Sequence, residues 1–242
     1  MTFTKIDIET QDGLVDSHFF QPAGDGPSPA VIFYMDGIGV RQALFDMAER
    51  LTVNGYAVLL PNLYYRHGPA APLDIMKDRD RMMAMVQSIT KAGAMQDTGH
   101  YLAFLDRQPG VLAPRVGCVG YCMGGGLSLT AAGTYPDRVV AAGSFHGGRL
   151  ATDAPDSPHL LAPKMRGEIY VGVAGDDPYL SPGETERIDM ALRDGGANYT
   201  VEVYPGAQHG FAVPDVPAYD RDASERHWEK LLDLFKRNLP GG

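Results

Sequence analysis

Cys122 lies in Gly120-Tyr121-Cys122-Met123-Gly124, directly after the β-branched run Arg115-Val116-Gly117-Cys118-Val119. A cysteine with glycines two residues away on either side, on a turn from strand to helix, has the pattern of a nucleophile elbow. Such a turn is tight enough to exclude bulk at the flanking positions, and it holds its central side chain at the top of a sheet. The following helix, expected over Leu127 to Tyr135, points the positive end of its dipole at the sulfur, which favours a thiolate and any oxyanion beside it. A glycine-rich phosphate-binding turn is the competing reading. It requires GxGxxG or a P-loop pattern, and neither occurs; Gly124-Gly125-Gly126 instead suits close packing of helix on sheet.

A cysteine nucleophile needs a base for its proton, and the base needs a partner that fixes its tautomer and stabilises the imidazolium. Of the seven histidines, His209 sits between glycines in Gly206-Ala207-Gln208-His209-Gly210, after a strand, where a loop can carry its ring over the elbow. His146, in Ser144-Phe145-His146-Gly147-Gly148, is the competitor. It also follows a strand, and as a residue supporting the site it would line the substrate pocket or bond a backbone carbonyl. His18, His67, His100, His159 and His227 read as solvent-facing or structural. Asp176 and Asp177 both lie in a turn within reach of a histidine; Asp177 is preferred, and its neighbour suits a turn-capping role ahead of proline. The chain order Cys122, aspartate, His209 is that of α/β-hydrolases. Acyl chemistry also needs oxyanion donors: the N–H of Met123, after the nucleophile, and a second from Asp36-Gly37-Ile38, where Gly37 lets backbone approach substrate closely.

These loops need a scaffold that brings them together. Apolar runs at Val31 to Met35, Ala57 to Leu60, Val116 to Val119, Val139 to Ser144, Ile169 to Ala174 and Thr200 to Tyr204 read as strands, most of them continuous as in buried parallel sheets. Helical patterns fall at Arg41 to Asn54, Gln96 to Arg107, Leu127 to Tyr135, Glu184 to Asp194 and Tyr219 to Lys236. Thr4 to Phe20 adds antiparallel strands at one edge. The expected fold is a single α/β domain over residues 1–242: a mostly parallel, doubly wound sheet whose ligand crevice lies at the carboxyl ends of the strands.

Composition sets the boundaries. With 242 residues, 44% hydrophobic and 21% charged, the chain can fill one core. A net charge of −9 argues against a nucleic-acid surface, which needs clustered Lys and Arg. The first residues have no apolar signal-like region, and no run approaches a membrane span, so a cytoplasmic protein is expected. The two cysteines, Cys118 and Cys122, make no disulfide framework. No metal-binding spacing occurs and no cofactor is called for. Pro240-Gly241-Gly242 is expected to be loose.

The motifs Gly120-Tyr121-Cys122-Met123-Gly124-Gly125, the acidic loop at Asp36, Pro61-Asn62-Leu63-Tyr64 and Gly206-Ala207-Gln208-His209-Gly210-Phe211 occur in this order. In them the chain resembles the dienelactone hydrolase family over nearly its whole length. The resemblance implies an α/β-hydrolase fold with helices on both faces of the sheet, a monomer, and a small ester or lactone substrate opened through an acyl-enzyme. It places Cys122, Asp177 and His209 in the triad and the N–H groups of Gly37 and Met123 at the oxyanion. The family has a glutamate at the position of Asp36, which holds the resting thiol and takes its proton; the shorter aspartate either works differently or shapes the loop. Of the family's two arginines for a substrate carboxylate, Arg81 matches the first, in a stretch that also reads as a solvated helix face. Val213 occupies the position of the second, which points to a less charged ester or lactone. Met82-Met83-Ala84-Met85 reads as a pocket wall or as core. The same triad also suits acyl thioesters, and a silent thiol sensor or ligand-binding protein is the reading from another class.

Overall fold

The computed structural model describes residues 2–24, 26–71, 73–74 and 77–239; the tail Pro240-Gly241-Gly242 lies outside the described residues. Strands β1 (Thr2–Thr10) and β2 (Gly13–Gln21) form an antiparallel hairpin at one edge. β3 (Ser28–Tyr34), β4 (Ala57–Pro61), β5 (Val111–Tyr121), β6 (Val139–Phe145), β7 (Glu168–Asp176) and β8 (Asn198–Gln208) complete a sheet of order β1-β2-β4-β3-β5-β6-β7-β8. β2 meets β4 antiparallel, and every pairing from β4 through β8 is parallel. This is the expected α/β-hydrolase architecture.

The central strands are apolar throughout because both faces of the sheet are covered. Alternation along β5 and β6 assigns the faces. Gly117 and Gly143 face α6 (Arg221–Asn238), where a Cβ would lie 2.8 Å from the Phe235 ring and 3.2 Å from Leu231. Gly120 and Ser144, one residue out of phase with them, face α4 (Met123–Thr134). α1 (Gln42–Val53) shares the α6 side, with Arg50 bonded to Glu225 and stacked over Trp228. α3 (Lys91–Leu105) shares the α4 side, where the Tyr135 hydroxyl, just past α4, donates to the Met95 carbonyl. α5 (Glu184–Asp194) packs beside β8.

Several elements differ from the periodicity reading. β5 starts five residues earlier than expected, but its pairing with β3 is interrupted between Ser28–Pro29 and Ala30, opposite the segment containing Pro114, which has no N–H to give a ladder. The regular part begins at Val116, where the apolar pattern placed it. α4 begins one turn earlier than expected, directly after Cys122. α2 (Arg79–Ser88) was visible in the sequence only as a charged and methionine-rich stretch, because none of its residues is fully buried. Instead Met82, Met85 and Val86 lean their half-buried side chains onto the core.

The long parallel strands fix where the chemistry-bearing residues fall. Cys122, His146, Asp177 and His209 are each the first residue beyond a strand, namely β5, β6, β7 and β8, and Asp36 is the second beyond β3. All of them therefore sit along one edge of the sheet.

Candidate active site

Cys122 adopts φ 55° and ψ −120°, a left-handed backbone that non-glycine residues rarely take. The surrounding sterics account for the glycines. A Cβ on Gly120 would lie 1.9 Å from the Gly124 carbonyl oxygen, and one on Gly124 would lie 2.4 Å and 2.5 Å from the Tyr34 and Met35 carbonyl oxygens. The Cys122 N–H donates to the Phe145 carbonyl and to Nδ1 of His146, each at 3.2 Å, which pins the elbow to the end of β6. Its carbonyl accepts from the Gly125 N–H at 3.0 Å and starts α4. The N–H of Met123 belongs to the helix's first turn, whose donors have no partner within the helix.

The histidine and the acid meet as the residues suggested. His209 Nδ1 lies 2.7 Å from Asp177 Oδ2, with the Asp177 side chain fully buried. The other oxygen, Oδ1, accepts from the Tyr179 N–H at 2.9 Å, so the carboxylate is oriented from both sides. Asp176 is exposed and its backbone pairs with Gln208, so of the two neighbours it is Asp177 whose carboxylate contacts the His209 ring. Burial of the His209 ring works against its charged form. The hydrogen bonds with Asp177 and Cys122 outweigh that and raise its pKa to about 10. Hydrogen bonds thus join Asp177, His209 and Cys122 in series. The Tyr179 ring stands edge-on to His209 at 4.7 Å between centroids, half-exposed at the mouth of the site.

Beside the elbow, the loop after β3 is fixed at both ends of one peptide. The Ile38 N–H donates to Asp36 Oδ1 at 3.0 Å, and the Gly37 carbonyl accepts from the Tyr64 hydroxyl at 2.8 Å. The same hydroxyl lies 3.7 Å from the Met123 sulfur, so Tyr64 touches both the Gly37 loop and the residue after Cys122. A Cβ on Gly37 would lie 3.1 Å from Val86 and 3.8 Å from Met82, so α2 roofs this loop with apolar side chains. The methionine stretch is therefore a wall over the site, with Met83 turned outward.

Of the two roles open to Asp36, its contacts fit the shaping of its own loop. Its two oxygens accept from Arg41 Nη1 at 2.7 Å and Nη2 at 2.9 Å, both side chains being buried. Arg41 in turn donates through Nε and Nη2 to Asp215 at 2.7 and 2.8 Å. His146 departs from its expected place at the substrate. It is 1% exposed, lies behind Cys122, and accepts from a backbone N–H rather than bonding a carbonyl. Burial and the neighbouring rings of His209 and His227 hold it well below the ordinary histidine range, hence neutral. Arg81 is exposed on α2 and lines a hollow with Gly39, Tyr64 and Met85 at the flank of the Gly37 loop; among the described residues it makes no ion pair. Val213 is buried at 1% exposure, so its position offers substrate no charge.

Arg41, Asp215 and Tyr64 are the site's neighbours that residue types alone did not single out. Tyr64 lay within a quoted motif, and its burial beside a glycine loop was the missing fact. Arg41 read as a helix-start residue, and nothing local ties it to an aspartate 174 positions away. Among the described residues no group of three or more His, Cys, Asp or Glu is arranged to hold a metal, and no helix is long and apolar enough to cross a membrane.

Residues 15–239 match the model of the dienelactone hydrolase family. The carboxymethylenebutenolidase of Pseudomonas putida is 28% identical over 235 residues, covering 95% of this chain and 94% of the relative. Among solved structures, a candidate dienelactone hydrolase of Klebsiella pneumoniae subsp. pneumoniae superposes with a TM-score of 0.87 at 23% identity, covering 98% of each chain. A dienelactone hydrolase-like promiscuous phosphotriesterase from metagenomic libraries superposes at 0.81 with 24% identity, over 99% of this chain and all of its own.

Proposed function

This chain belongs to the dienelactone hydrolase family and is an ester or lactone hydrolase, and we propose that it works through an acyl-enzyme on Cys122 within a single α/β domain. The observation that carries the mechanism is the oriented line from Asp177 through His209 to Cys122 at the end of three parallel strands.

With its pKa raised to about 10 by its hydrogen bonds with Asp177 and Cys122, His209 is the base that takes the nucleophile's proton. The sulfur attacks the ester carbonyl. The carbonyl's electron pair moves onto oxygen, which the N–H groups of Gly37 and Met123 receive. As the tetrahedral intermediate collapses, the carbon–oxygen bond breaks and Nε2–H of His209 gives its proton to the departing alkoxide. Water then attacks the thioester, with the now neutral His209 taking its proton. Collapse releases the carboxylic acid and restores the starting Cys122–His209 pair. Asp177 holds the ring's Nδ1–H throughout, so Nε2 always faces the reaction.

The walls favour a small, weakly charged substrate. Met82, Val86 and Met123 line the oxyanion side with apolar or polarisable surface, and Val213 removes the second cation of an anion clamp. Arg81 remains as one exposed guanidinium beside the loop, a weak steering charge for substrates bearing a carboxylate. A reducing, cytoplasmic setting belongs to the same proposal, since a free nucleophilic thiol persists there.

The test is turnover of p-nitrophenyl acetate and of an enol-lactone by wild type, Cys122→Ala and Cys122→Ser, with intact-mass spectrometry on quenched samples. The expected result is an acyl adduct on wild-type Cys122 and loss of turnover in the alanine variant with its fold retained. Undiminished turnover by Cys122→Ala removes the mechanism. A thiol that is alkylated yet never acylated moves the protein to the sensor class.

A further inference from the structure

Arg41 is a buried guanidinium that makes four hydrogen bonds to two carboxylates on different loops. Two go to Asp36, whose Oδ1 also receives the Ile38 N–H and so fixes the loop that presents Gly37. Two go to Asp215, six residues beyond His209. A fifth bond runs from Nη1 to the Gly39 carbonyl at 3.0 Å. The segment from His209 to Asp215 is itself stiff. Phe211 and Val213 donate back to Gln208 and Gly210 at 3.0 Å each, and Phe211, Ala212 and Val213 are buried. A fork of this geometry fixes direction as well as distance, which a lysine cannot do.

Resting on the acyl-enzyme reading above, we propose that Arg41 is a positioning residue. It ties the oxyanion loop to the histidine loop, so that the Gly37 donor and His209 keep a fixed separation, and it retains Asp36 as its counterion rather than as an acceptor for the thiol proton. The charge balance agrees: one buried cation lies between the buried Asp36 and the half-exposed Asp215, and both oxygens of Asp36 are occupied. Arg41 touches neither substrate nor sulfur in this scheme. Its effect passes through the placement of a donor that is worth roughly a hundredfold in rate or more when removed outright.

Two reactions at the same sulfur separate this role from general support of the fold. Alkylation by iodoacetamide needs the thiolate but no oxyanion donor, whereas acylation by p-nitrophenyl acetate needs both. Asp215→Ala removes one arm of the clamp at an accessible position and leaves the buried Asp36–Arg41 pair intact. Its acylation rate is expected to fall roughly tenfold, a fraction of the full donor effect, with KM and the alkylation rate within about twofold of wild type. Arg41→Lys should lower acylation at least as far. The double variant should be no slower than Arg41→Lys alone, because Asp215 acts only through Arg41. Wild-type acylation in a folded Asp215→Ala overturns the clamp, as does a fall in alkylation parallel to that in acylation, or full additivity in the double variant. A wild-type enzyme that is alkylated but never acylated overturns the hydrolase mechanism, and the clamp's role in it falls too.

Discussion

Replacing Asp177 with asparagine tests the acid–histidine–thiol line with almost no change in shape. The amide carbonyl still accepts the Tyr179 N–H that Oδ1 accepts now at 2.9 Å, while its NH2 turns toward Nδ1 of His209, where a carboxylate oxygen stands at 2.7 Å. Two donors then face each other unless the ring moves its proton to Nε2, the atom that must exchange protons with the sulfur and leaving group. The charge effect can be estimated in two ways. Two unit charges about 4 Å apart at an effective dielectric of about 20 attract by about 4 kcal/mol. The rise of His209 from 6.5 to about 10 corresponds to about 5 kcal/mol. Burial of the ring opposes the rise, so Asp177 and Cys122 together supply more than this net amount, the hydrogen bond to Asp177 being the largest single favourable contribution. Asp177→Asn should therefore bring the His209 midpoint down by about three pH units, toward 7, and lower kcat/KM by about 10³ to 10⁴. A histidine ring-proton NMR titration reads the first, and p-nitrophenyl acetate kinetics the second. Stability follows with a defined sign. A folded-state pKa raised to about 10 gives stabilisation that is complete below 6.5 and lost as pH rises through 10, so the wild type should lose stability across that window and Asp177→Asn should be nearly flat above pH 7. A wild-type midpoint near 6.5, or one that Asp177→Asn leaves unmoved, refutes the reasoning.

Two further outcomes test the elbow. Because Cys122 sits at φ 55° and ψ −120°, Cys122→Gly should be more stable to urea than Cys122→Ala by about 1 kcal/mol, the relief of backbone strain exceeding glycine's entropic cost; equal midpoints would mean the turn is unstrained. Gly124→Ala should cost about 3 kcal/mol in the same assay, since the new methyl meets the Tyr34 and Met35 carbonyl oxygens at 2.4 and 2.5 Å and Tyr34 is held in register opposite Gly120. A loss below about 1 kcal/mol would show that β3 and α4 separate more freely than their packing indicates.

The parts of this fold that were readable from sequence are those where one physical requirement acts on adjacent residues. Burial on both faces writes β3 as Pro29-Ala30-Val31-Ile32-Phe33-Tyr34 without a polar position, and close approach writes glycine at 120 and 124. α2 lacked such a signature because a helix lying half-buried over a cleft needs neither a clean apolar stripe nor strong caps, and its methionines fit a wall as well as a core. The early strand pairing at Val111 and Leu112 was hidden by Pro114, which interrupts the ladder in the middle of the strand.

The site divides along the same line. Cys122, Asp177 and His209 are each the first residue after a strand, and a parallel sheet delivers such residues to a common edge, so their proximity could be expected from three local readings. The roles of His146 and Asp36 could not be read in that way. A histidine in a post-strand loop is compatible with substrate contact or with holding the elbow from behind, and only burial and the Cys122 N–H decide for the second. For Asp36 the deciding partner is Arg41, whose own state depends on Asp215, 174 positions further along the chain. A guanidinium buried between two carboxylates is strongly destabilising when either partner is missing at a buried position. Once the sheet brings those loops together, the three residues constrain one another, and Asp36, which also accepts the Ile38 N–H, is held within the loop that carries Gly37.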